Sequence, residues 1–159
     1  MNITILCVGK VREAFMRDGI DEYAKRLSRY VKLTVTEVPD EKTPEDASER
    51  ENSKIIDTEG ERLLSKIRDT DYVCALAING KPYSSEEFSR YLSQAQIRSK
   101  GNLVFVIGGS LGLAPAVLSR ADDLISFSAM TFPHQLMRMI LLEQIYRGYR
   151  IMNHEPYHK

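Results

Sequence analysis

The residues best suited to chemistry in this 159-residue chain lie in its last third. Gly108, Gly109 and Gly112 form a Gly-Gly-x-x-Gly turn directly after the apolar run Leu103–Ile107. Glycine tolerates positive φ and close main-chain approach, so such a turn is either a tight connection or a ligand loop with free N–H and C=O groups. A second apolar run, Leu124–Ser128, leads through Ala129, Met130, Thr131 and Phe132 into Pro133. Its small residues, hydroxyls and Met/Phe pair suit a flat, mostly apolar base held by main-chain contacts. They lack the carboxylates and cysteines of a metal site. At the C-terminus, His154, Tyr157 and His158 follow Arg147 and Arg150. Such groups can contact phosphate and an aromatic base, or the tail can simply fray, as termini do. His134 reads as a helix-start hydrogen-bonder rather than a ligand.

Bringing these loops together requires a parallel sheet, whose strand ends point the same way. Ile3–Val8 reads as a strand, and Arg12–Tyr30 as an amphipathic helix with Phe15, Ile20, Tyr23, Ala24 and Leu27 inward. Lys32–Val38 alternates like a strand near an edge. Thr43-Pro44-Glu45-Asp46 has the form of a helix start, the helix reaching about Arg68 with a solvated first half. Tyr72–Ile78 is a buried strand closed by Asn79-Gly80-Lys81-Pro82, and Ser84 to Glu87 cap a helix running to about Ser99. Leu103–Ile107, a short helix near Ala114–Arg120, Leu124–Ser128 and a long helix from Pro133 complete the alternation. The fold class is therefore α/β, a single domain over residues 1–159 with a mainly parallel sheet flanked by helices. The last helix puts Leu136, Ile140, Leu141 and Ile145 on one side, with Met137, Met139, Leu142, Tyr146 and Tyr149 around much of the rest. That is too apolar for a lone surface helix and points to a symmetric dimer, the alternative being complete burial within one subunit.

Lys and Arg number 22 and so do Asp and Glu, so no global basic field announces nucleic acid. Residues 1–80 hold 13 basic against 16 acidic side chains and residues 81–159 hold 9 against 6, a mild C-terminal lean toward an anionic partner. Cys7 and Cys74 sit inside apolar runs, as small core residues of a reducing compartment do. The opening run lacks signal-peptide character, and no apolar run approaches the ~20 residues that span a bilayer. A cytoplasmic protein with no membrane partner is expected. The glycine turn is neither the G-x-G-x-x-G fingerprint nor a Walker loop, which argues against an ordinary nucleotide or dinucleotide enzyme.

The ordered set VFVIGGSLGL, SFSAMTFPHQLMRMILLEQIYRGYRI and terminal PYHK resembles the SPOUT class of RNA methyltransferases. Within it, the set is most similar to the small enzymes that methylate N3 of a pseudouridine in large-subunit (23S) ribosomal RNA. ITILCVGK, TEGERLL and INGKPYSSEEF fit as well, so the similarity spans essentially the whole chain. Glu155 between His154 and Pro156 departs from the pattern and leaves the role of His154 open.

The resemblance implies a C-terminal trefoil knot, which general topology rules would argue against. It implies S-adenosylmethionine, and no metal, bound near Leu76, Gly108 and the loop Phe127, Ser128, Ala129, Met130, Thr131 and Phe132. It implies a homodimer paired through the terminal helices, each site completed by the partner. Arg147, Tyr157 and His158 match family positions assigned to RNA engagement and catalysis. The uracil-type N3–H must lose its proton, for which His158 would be the base or relay. Tyr157 would orient the base, and Arg147 would hold a phosphate or stabilise charge on a uracil oxygen. A near-neutral protein of this size has little surface for RNA, so the expected substrate is rRNA within an assembled ribosomal particle. The alternative from another class is a non-enzymatic, ribosome-associated RNA-binding factor, which has no reason to bind S-adenosylmethionine.

Overall fold

The computed structural model describes residues 1–159. Its elements are β1 (Asn2–Val8), α1 (Ala14–Leu27), β2 (Lys32–Val38), α2 (Glu49–Leu64) and β3 (Tyr72–Pro82), followed by α3 (Ser85–Arg98), β4 (Asn102–Ile107), α4 (Pro115–Arg120), β5 (Asp123–Ser126) and α5 (His134–Met152). The five strands form one all-parallel sheet in the order β2-β1-β4-β3-β5. Strand periodicity sorts the apolar runs between its two faces. Ile3, Ile5 and Cys7, with Leu103, Phe105 and Ile107, join the core beneath α1, α3 and α5. Leu6 and Val8, with Val104 and Val106, join the smaller core beneath α2 and α4. Burial on both faces explains why these strands read as continuous apolar runs, while β2, at the sheet edge, alternates.

The sequence misplaces four features. Phe15 is 69% exposed, because the inward stripe of α1 runs through Met16, Ile20, Tyr23 and Leu27 instead. The helix expected at Thr43 begins only at Glu49, where the Ser48 hydroxyl accepts from the Glu51 amide at 3.2 Å. Ser48→Ala is expected to cost about 1 kcal/mol of unfolding free energy, read by chemical denaturation. Asn79–Pro82 does not close β3. Ile125 of β5 pairs with Leu76 and again with Lys81, and a Cβ at Gly80 would lie 2.6 Å from the Ile125 carbonyl carbon. The run from Leu76 to Lys81 thus crosses the main chain of β5. On α5, the core face is Leu141, Leu142, Ile145, Tyr146 and Tyr149, whereas Leu136 and Ile140 are only half-buried.

Candidate functional site

Parallel strands deliver their following loops to one edge of the sheet, and three of these loops enclose a cavity of about 850 Å³. Leu76 comes from β3, Gly108 from the turn after β4, and Phe127, Ser128, Met130, Thr131 and Phe132 from the loop before α5. All seven line the cavity, and Ala129 does not. Ile78 and Asn79, where the first apolar part of β3 ends, also line it, as do Leu118, Gln135 and Met137, which sequence reasoning missed. Only their neighbourhood to glycine and proline turns could have signalled them.

The glycine turn is built by space and by conformation. A Cβ at Gly108 would lie 2.7 Å from the Gly112 carbonyl oxygen, and Gly112 itself has φ +87°. The turn closes on one bond, Gly112 N–H to the Gly109 carbonyl at 3.1 Å. Gly109 and Gly112 face each other as an antiparallel bridge, while the amides of Gly108, Ser110 and Leu111 donate to no main-chain group and are open to a ligand. In the second loop the hydroxyls shape main chain: the Ser128 amide donates to Ser126 Oγ at 3.3 Å and the Met130 amide to Ser128 Oγ at 2.9 Å. Free amides beside Leu76, Phe127 and Phe132 match the donor and apolar requirements of an adenosine with an amino-acid tail. S-adenosylmethionine fits this lining.

His134 differs from expectation. It lines the cavity at the start of α5, yet Nδ1 is buried without a hydrogen-bond partner and α5 has no side-chain cap. Its ring packs against Gly9, where a Cβ would lie 3.1 Å from Cε1. Burial, then the nearby Arg138 cation, lowers its pKa below the ordinary range, so it is neutral at pH 7. Burial pushes the Cys7 and Cys74 thiols up to about 12, which leaves both inert.

The tail is not frayed. His154, exposed at φ 55°, turns the chain so that Glu155 folds back, accepting from Tyr30 Oη at 2.8 Å and pairing with Arg150. Arg150 also donates to the Pro156 carbonyl at 2.8 Å, and Tyr157 packs edge-on against Tyr146 with ring centroids 5.0 Å apart. This docking gathers Arg147, Tyr157 and His158. The Arg147 guanidinium lies 4.5 Å from the Tyr157 ring centroid and pairs with Glu143 at 2.8 Å, while Tyr157 Oη donates to Glu143 at 3.0 Å. Burial, then Glu143, raises the Tyr157 phenol above its ordinary range, which keeps it a donor at neutral pH.

His158 is held from both sides: Nδ1 lies 3.2 Å from Arg147 and Nε2 lies 2.7 Å from Glu86. Arginine only donates, so Nδ1 is the acceptor and Nε2 carries the proton toward Glu86. Glu86 and Glu143 are partners that sequence reading missed. None of the trio lines the 850 Å³ cavity. Between the two groups lies a smaller hollow of about 250 Å³ lined by Tyr83, Ser85, Phe88 and Gln144, with Phe127 lining both hollows. One chain therefore presents two separate features, a loop-lined cavity and a charged tail cluster.

A family model described as a predicted SPOUT methyltransferase matches residues 1–158. The chain is 58% identical to the ribosomal RNA large subunit methyltransferase H of Bifidobacterium animalis subsp. lactis, over 159 residues and the whole of both chains. The proteins of that name from Enterococcus faecalis and Clostridium perfringens are 55% and 54% identical, again over the whole of both chains.

Proposed function

The chain belongs to the SPOUT methyltransferase family, and on that footing we propose that it methylates N3 of a pseudouridine in large-subunit ribosomal RNA with S-adenosylmethionine as donor. The names of its full-length relatives support the RNA. The observation that carries the reading is convergence: Leu76, Gly108 and five residues between Phe127 and Phe132, far apart in sequence, line one cavity.

When bound, S-adenosylmethionine supplies an activated sulfonium methyl. The chain's task is then to orient donor and acceptor and to manage one proton. The free amides of Gly108, Ser110 and Leu111 would hold the donor's polar groups, and Leu76, Phe127 and Phe132 would exclude water. His158 accepts a proton only at Nδ1, the atom that Arg147 covers in the free protein. An incoming phosphate or uracil oxygen offers Arg147 a better acceptor, and its departure uncovers the base. Glu86, hydrogen-bonded to Nε2, fixes the tautomer and orientation of the ring.

The partly exposed strip Leu136, Ile140, Gln144 and Arg147 on α5 supports a homodimer in which the tail of one subunit completes the partner's cavity. The crossing of β5 by the run from Leu76 to Lys81 supports a C-terminal trefoil knot. We place the enzyme in the cytoplasm, acting on assembled ribosomal particles. The test is mass spectrometry of rRNA from cells with and without the gene, beside calorimetry with S-adenosylmethionine. A missing N3-methyl group and micromolar-range binding are expected. Unchanged rRNA with no donor binding would favour the non-enzymatic factor, and equal methylation of naked fragments and particles would remove the particle requirement.

A further inference from the structure

Against the glycine turn, and outside the cavity lining, lies a carboxylate with no place in the chemistry above. Glu59 of α2 is only 4% exposed. Its Oε2 accepts from the Glu41 amide at 3.0 Å, and a Cβ at Gly109 would lie 3.0 Å from Oε1 and 3.3 Å from Oε2. The next residue is fitted to the other end of the same turn, where a Cβ at Gly60 would lie 2.6 Å from the Ala114 Cβ. One turn of α2 thus seats both ends of the Gly108–Leu113 loop. The grip extends to the β2–α2 connection, where Arg62 donates to the Pro39 carbonyl at 3.0 Å and pairs with Glu41.

Burying a carboxylate here is costly. Burial above all pushes its carboxyl up, opposed by the Glu41 amide, while Asp40 and Glu41 add like charge and Arg62 opposes it. An apolar residue would fill the space behind Gly109 at lower cost but would leave the Glu41 amide without its acceptor.

We propose that Glu59 is a positioning residue for methyl-donor binding, fixing the glycine loop from behind through the Glu41 amide and Gly109. The inference rests on the methyltransferase reading. Its test is calorimetry with S-adenosylmethionine, together with the split between donor KM and kcat. Glu59→Ala is expected to raise the donor Kd and KM about tenfold, the equivalent of one hydrogen bond to a charged group, with kcat at saturating donor nearly unchanged. Glu59→Gln, which keeps an acceptor of the same length, should restore most of the affinity. Gly109→Ala should weaken binding by itself, and adding Glu59→Ala should relieve part of that loss by removing the atoms its Cβ meets.

Wild-type-like donor affinity in Glu59→Ala overturns the proposal, as do strictly multiplicative losses in the double variant. If Glu59→Ala does not fold, unchanged affinity in Gly109→Ala overturns it equally. Failure of the wild-type protein to bind the donor is a different result, because it overturns the methyltransferase reading itself.

Discussion

Gly108→Ala is expected to weaken S-adenosylmethionine binding about a hundredfold while leaving the fold intact, because a displacement of ~1 Å at a positioning element carries a penalty of that order. The added Cβ would meet main chain: the Gly112 oxygen at 2.7 Å and its carbonyl carbon at 2.8 Å, with Leu113 Cδ2 at 3.0 Å. A flexible side chain could step aside, but this carbonyl belongs to a residue at φ +87° whose amide already closes the turn on Gly109. The turn must therefore open, and it carries the free amides with it. Overpacking of this kind costs about 1–3 kcal/mol of stability, small enough for the protein to remain folded. Gly112→Ala is the control. Nothing lies within 4 Å of its Cβ, so only the positive φ is penalised, at about 1–2 kcal/mol. Calorimetry and denaturation on both variants separate the two effects. Donor affinity in Gly108→Ala equal to that of the wild type would mean that the turn is a connection and not a binding loop.

The reasons some features were legible in the sequence and others were not are local and physical. The strands announced themselves because burial on both faces leaves uninterrupted apolar runs such as Leu103–Ile107. The α3 start was legible because the side chains of Ser84 and Glu87 each accept from the other's own amide, within four residues. The α2 start was not, since Thr43-Pro44 and Ser48 are both competent starts and only packing chooses between them. The course of β3 past Ile78 depends on pairing with β5 more than 40 residues later, which no local pattern encodes. The site divides in the same way. Glycines and small residues marked the cavity loops, and the family resemblance implied which of their residues meet the donor, Ala129 being the one outside the cavity wall, and which roles Arg147, Tyr157 and His158 would take. The partners that hold those three side chains were invisible: Glu86 meets His158 across 72 residues, and Tyr30 meets Glu155 across 125. The order of the tail is a product of those contacts, so composition alone could not distinguish it from a frayed end.

Arg147→Ala is expected to lower methyl transfer by about two to three orders of magnitude, the loss typical of removing a charged group that stabilises developing negative charge. Donor affinity should stay at the wild-type level, because Arg147 does not line the donor cavity. The same separation yields a test of subunit sharing. At a donor concentration near the wild-type Kd, Gly108→Ala leaves the cavity almost empty and Arg147→Ala disables the tail cluster, so each homodimer alone is nearly inactive. If each site joins the cavity of one subunit to the tail of the other, a mixed dimer has one site with both lesions and one with neither. Random re-pairing of equal amounts makes half the dimers mixed, so about a quarter of wild-type activity should return on mixing. If the cavity and tail of one chain formed the site together, every site in every dimer would carry one lesion and mixing would restore nothing. That none of Arg147, Tyr157 and His158 lines the cavity of its own chain favours the first outcome. Arg147 is spent on Glu143, Tyr157 and His158 in its own subunit, and a partner that delivers RNA to this cluster beside its own donor gives the guanidinium a reason to move.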